Sequence, residues 1–140
     1  MVLSKEEKAL VESQWQKIAP QAETLGAEVL ERALLAYPEI RPFFSKFDLT
    51  PNSEDLRSHG GKLLKSLGDS IKNYDKLKQS MKDLTELHTK KHPVDYKHYA
   101  PISVCIQVVL ALHYPDDFNP KMQNAWNKLI AEVSDVLAGR

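Results

Sequence analysis

Two histidines hold the chemistry that this sequence offers most plainly. His59 and His88 each lie on a segment with helical apolar spacing, and a polar link around residues 72–78 separates the two segments. On the first, Leu56, His59, Leu63 and Leu67 recur at steps of three and four; on the second, Met81, Leu84, Leu87 and His88 share a face. If these segments fold as helices facing each other, both imidazoles point into one gap. Imidazole is a versatile metal ligand and changes charge near neutral pH. A lone histidine on an apolar face is more often a hydrogen-bonded core residue, and no short metal-binding spacing such as HExxH occurs here. A pair on opposed helices points to a shared ligand without naming a metal.

The elements that must position these residues follow from local signals. Ser4 and Glu7 form a capping box, so a helix begins at Lys5, buries Leu10, Val11, Trp15 and Ile18, and stops at Pro20. A second helix spans about 21–36, with Gly26 inside it and Leu25, Val29 and Ala33 facing in. Gly26 and Gly60 are expected to meet at a helix crossing, where the absence of a side chain lets backbones approach. Next comes the proline-flanked RPFFSKFDL, in which Phe43, Phe44 and Phe47 crowd an irregular corner that either plugs a core or walls a ligand. Ser53 caps the His59 helix, expected to last to about residue 73, and the His88 helix covers about 80–90. Asp95 can cap the following helix, where Pro101 forces a kink or a late start, and Asn119-Pro120 opens the last. No segment shows strand alternation. The expectation is an all-α domain of six longer helices and short helical turns over residues 1–140.

Composition narrows the function. Nineteen basic residues balance nineteen acidic ones, so no net field favours nucleic acid or an anionic membrane. The opening MVLSKEEKAL lacks the apolar core of a signal peptide, and no apolar run is long enough to span a bilayer. A soluble, cytoplasmic protein is expected. The single Cys105 excludes an intrachain disulfide and is expected to pack as a small apolar residue. No Ser-His-Asp set, phosphate-cradling glycine loop or paired carboxylate site is evident, and Asp116-Asp117 reads as a solvated turn.

The order PFFSKFDL, DLRSHGGKLL, LTELHTKKHPVDYKHY and DFNPKMQNAW resembles a vertebrate globin of the haemoglobin and myoglobin group across essentially the whole chain. VLSKEEKALV and the short link between Phe47 and His59 are most like a haemoglobin α-type chain, with no room for an extra short helix in that link. The resemblance implies haem b as cofactor, His88 as the proximal iron ligand, and His59 as the distal residue that donates to bound oxygen. Phe44 matches the haem-stacking phenylalanine, with Phe43 and Phe47 beside it; Leu63 crowds the ligand side. Leu84, Leu87, Val94, Tyr99 and Leu137 match apolar contacts, and Lys46, Lys62 and His92 match positions near the haem propionates.

The function so implied is reversible binding of dioxygen for transport or storage, with carbon monoxide and nitric oxide as further ligands, and no enzymatic activity. Two other readings stand beside it: a haem globin acting in nitric oxide dioxygenation, nitrite reduction or peroxidase chemistry, and a cofactor-free helical interaction module. In α-type globins the helix with Cys105 and the last helix join partner chains. The ending Val136-Leu-Ala-Gly-Arg140 lacks the penultimate tyrosine of such chains, so a monomer or weak homodimer is expected, with a globin hetero-oligomer as the other arrangement.

Overall fold

The computed structural model describes residues 2–91 and 98–139. Helix α1 (Lys5–Ile18) starts as its capping box requires: Ser4 Oγ accepts from the Glu7 N–H at 3.1 Å and Glu7 Oε1 accepts from the Ser4 N–H at 3.0 Å. Pro20 confines the chain to a 3₁₀ turn, Ala19–Gln21, before α2 (Ala22–Ala36). The next 3₁₀ stretch, Pro38–Phe44, covers the start of the phenylalanine corner expected to be irregular. Pro38 presets the first φ angle there, and i→i+3 bonding tolerates the missing N–H of Pro42 in so short a piece. No helix lies between this stretch and α3 (Glu54–Lys72), which Ser53 caps through the Leu56 N–H at 3.2 Å.

α3 packs along α2 through the expected glycine crossing. A Cβ built on either Gly26 or Gly60 would lie 2.2 Å from the other's backbone carbon, so neither position accepts a side chain without separating the helices. After a 3₁₀ turn, Tyr74–Lys76, the His88 segment departs from the single helix expected over 80–90. It comprises α4 (Leu77–Ser80), α5 (Lys82–Glu86) and a π-helical turn, Leu87–Lys91. Hydroxyls compete with the backbone ladder along it: Ser80 Oγ donates to the Leu77 carbonyl at 3.1 Å and Thr89 Oγ1 to the Thr85 carbonyl at 2.8 Å.

Helix α6 (Tyr99–His113) begins late enough that Pro101 falls in its first turn, where a missing N–H costs no intrahelical bond. Asp95, the expected cap, lies outside the described residues. α7 (Pro120–Leu137) opens with Asn119 Oδ1 accepting from the Met122 N–H at 2.9 Å and Pro120 as its first residue. The core runs between α1, α2, α3, α6 and α7, from Val11 and Leu25 to Leu129, and takes in Cys105. Gln14, which the apolar stripe of α1 does not include, is buried there and accepts from Trp126 Nε1 at 2.6 Å. Among the described residues there is no strand, and no helix is long and apolar enough to cross a membrane.

Candidate functional site

One wall of the site comes from α3 and the phenylalanine corner. The His59 ring is half-buried; it meets Phe44 edge-on, with centroids 5.6 Å apart at 85°, and lies 5.2 Å from Phe47 at 39°. Phe44 and Phe47 are themselves 5.8 Å apart, so the three rings form one cluster. Burial, then the Lys62 cation and then His88 hold the His59 imidazole below its ordinary pKa of 6.5, so it is neutral at pH 7. Leu63 lies half-buried one turn further along α3.

Opposite chemistry is set up at His88. Its Nδ1 lies 2.7 Å from the Leu84 carbonyl oxygen. A carbonyl only accepts, so Nδ1 carries the proton and, in the neutral ring, Nε2 keeps its lone pair for a ligand bond. The Tyr99 ring sits 6.4 Å away at 42°, and burial pushes its phenol pKa up. His98, which the apolar pattern does not pick out, packs edge-on against Phe43 at 4.9 Å and 65°. Its Nδ1 is buried with no hydrogen-bond partner among the described residues. The signal for it in sequence was only an adjacent His-Tyr pair, 98–99, at the start of α6.

Phe43, which packs on His98, keeps 44% of its surface exposed and Leu84, whose carbonyl meets His88, 37%, while Leu87, next to His88 in the chain, and Leu137 are only half-buried. Large apolar groups exposed beside two imidazoles mark a surface made to be covered. Lys46 and Lys62 are exposed, whereas His92 and Val94 lie outside the described residues. No group of three or more histidine, cysteine, aspartate or glutamate side chains among the described residues could hold a metal by itself. A single strong imidazole donor suits an iron whose other ligands arrive with a macrocycle, and the apolar, aromatic walls suit the macrocycle's faces. The residues present therefore fit haem.

Such an arrangement defines the class, a haem-binding protein whose described residues form helices and turns. The globin family model matches residues 27–137. Over 140 residues the chain is 44% identical to the hemoglobin larval subunit alpha of Pleurodeles waltl, covering all of this chain and 99% of that one. It is 42% identical to hemoglobin subunit alpha-5 of Xenopus laevis with the same coverage, and 41% identical over 139 residues to hemoglobin subunit alpha-D of Coturnix japonica, at 99% of each chain. The chain belongs to the globin family and is laid out as a vertebrate α-type chain. Its cofactor is haem b and its activity is reversible oxygen binding; it is a carrier and not an enzyme.

Proposed function

We propose that His88 holds the haem iron through Nε2 and that His59 stands on the ligand side, where dioxygen and its competitors carbon monoxide and nitric oxide enter. When bound, ferrous haem supplies the reversible oxygen-binding centre. The observation that carries this reading is the Nδ1–H of His88 on the Leu84 carbonyl at 2.7 Å, which fixes the tautomer and leaves Nε2 as the ligand atom. Neutral His59 keeps a proton on a ring nitrogen and donates it in a hydrogen bond to dioxygen. In a low-dielectric pocket such a donor favours the more polar ligand, dioxygen, over carbon monoxide.

Phe43, Phe44, Phe47, Leu63, Leu84, Leu87, Tyr99 and Leu137 cover the faces of the macrocycle and exclude the water and anions that promote oxidation of ferrous iron. Lys46 and Lys62 pair with the propionates; by family position His92 joins them and Val94 joins the apolar wall. The whole of residues 1–140 works as one globin domain, supported by α1, which precedes the matched segment and buries Val11 and Ile18 in the common core. A cytoplasmic, reducing setting agrees with the lone, buried Cys105, whose thiol pKa burial pushes up.

Alone, the chain is a monomer or weak homodimer; with a second type of globin chain it forms a hetero-oligomer. Support for this comes from α6 and α7, where the exposed Val104 and Val108 line a groove of about 610 Å³ opposite Gln123, Asn124 and Asn127. Amides donate and accept, so they suit a neutral partner surface.

Replacing His88 tests the iron assignment. His88→Ala is expected to lose haem or hold it loosely, seen as loss of the Soret band on gel filtration. His59→Leu keeps haem and speeds oxygen dissociation about ten- to a hundredfold, the worth of one hydrogen bond to a strongly polar group. A normal five-coordinate ferrous spectrum from His88→Ala would overturn the reading.

A further inference from the structure

The segment bearing His88 is too short to hold itself in place. α5 has five residues and is followed directly by the π-helical turn, and helices this short are unstable without tertiary ties. One tie reaches across the fold: Thr85 Oγ1 donates to the Val136 carbonyl in the last turn of α7, at 3.0 Å. That carbonyl also accepts the Gly139 N–H at 3.0 Å. A last-turn carbonyl has no intrahelical donor, so its partners must come from the cap and from elsewhere in the chain, and Thr85 supplies one of them.

The position of Thr85 gives the tie its meaning. The Leu84 carbonyl that accepts the His88 Nδ1–H belongs to the peptide unit whose N–H is that of Thr85, and a peptide unit moves as one plane. The Thr85 N–H donates to the Met81 carbonyl at 2.8 Å, and the Thr85 carbonyl accepts Thr89 Oγ1 at 2.8 Å. With Oγ1 on α7, the plane that orients the imidazole is thus held from α7 as well as from its own segment. At the far end, Gly139 has φ +76°, and a Cβ there would stand 3.4 Å from Thr89 Cγ2, so the turn after α7 lies against the same threonine pair.

We propose that Thr85 is a positioning residue for His88: its hydroxyl fastens the Leu84–Thr85 peptide to the last turn of α7, so that this turn governs how His88 presents Nε2. The proposal rests on the reading of His88 as iron ligand. It makes the end of α7 a point from which oxygen affinity is adjusted without any contact to the ligand side.

Thr85→Val keeps the shape and removes the hydroxyl; Thr85→Ser keeps the hydroxyl. In the haem-free chain, Thr85→Val is expected to speed amide hydrogen exchange over residues 85–89 by about two- to tenfold and to broaden the His88 ring ¹⁵N signals, while α1 and α2 exchange as before. With haem, the iron–histidine stretching band of the reduced protein shifts and the oxygen dissociation rate changes about two- to tenfold, the worth of one net hydrogen bond. Thr85→Ser restores both sets of values. Native behaviour of Thr85→Val in either preparation, or failure of Thr85→Ser to restore it, overturns the proposal. Absence of an iron–histidine band in the unmutated protein would instead sink the assignment of His88, and the haem-free exchange and ring signals would still decide the role of Thr85.

Discussion

His59 and His88 are the same residue type put to different work by what surrounds each ring. The carbonyl of Leu84 fixes the proton of His88 on Nδ1, whereas His59 is kept neutral by burial, then by Lys62 and His88. The sign of the linkage follows. Between the lowered folded-state value and the ordinary 6.5, the unfolded chain binds a proton at His59 that the folded chain does not. The His59 contribution to stability is therefore complete above pH 6.5 and is lost as pH falls from there through the folded value. A ¹⁵N titration of the haem-free chain is expected to give His59 a midpoint below 6.5, and a midpoint at or above it would contradict the account. In sequence, both histidines were marked by helical spacing and the phenylalanines, of which Phe44 and Phe47 pack on His59, by the proline-flanked corner. His98 was not, since it stands at a helix start with no periodicity around it; nor was Thr85, whose acceptor is a carbonyl 51 residues away.

Among the elements, the α2–α3 crossing sets where His59 stands. Gly60 adjoins His59, and a methyl group there would overlap the Gly26 carbonyl carbon at 2.2 Å. Backbone on backbone cannot yield as a flexible side chain would, so Gly60→Ala is expected to cost about 3 kcal/mol in urea unfolding and to weaken haem retention. A change within about 0.5 kcal/mol would refute the tightness of the crossing. Helix boundaries were readable where caps and prolines act, at Ser4, Ser53, Pro101 and Asn119. The division of the His88 segment was not readable. Apolar spacing reports which face is buried, while the break depends on where the hydroxyls of Ser80, Thr85 and Thr89 find carbonyls.

For the whole molecule, five long helices among the described residues form a core that leaves apolar side chains uncovered around the imidazoles and along α6 and α7. The first is the surface proposed for haem; assembly tests the second. Sedimentation at micromolar concentration is expected to show monomer and some dimer for the chain alone, and a heavier species once a second type of globin chain is added. Val108→Asp places a charge on the α6 face and should abolish the heavier species; its persistence, or its absence with the unmutated chain, would contradict the assembly proposed. The most direct test of the central claim is the visible absorption spectrum of the purified protein, reduced under argon, exposed to air and returned to argon. A Soret band that shifts with oxygen and shifts back is the predicted result. No haem band, even after haemin is added, would mean that His59 and His88 are ordinary core residues and that the chain is not an oxygen carrier.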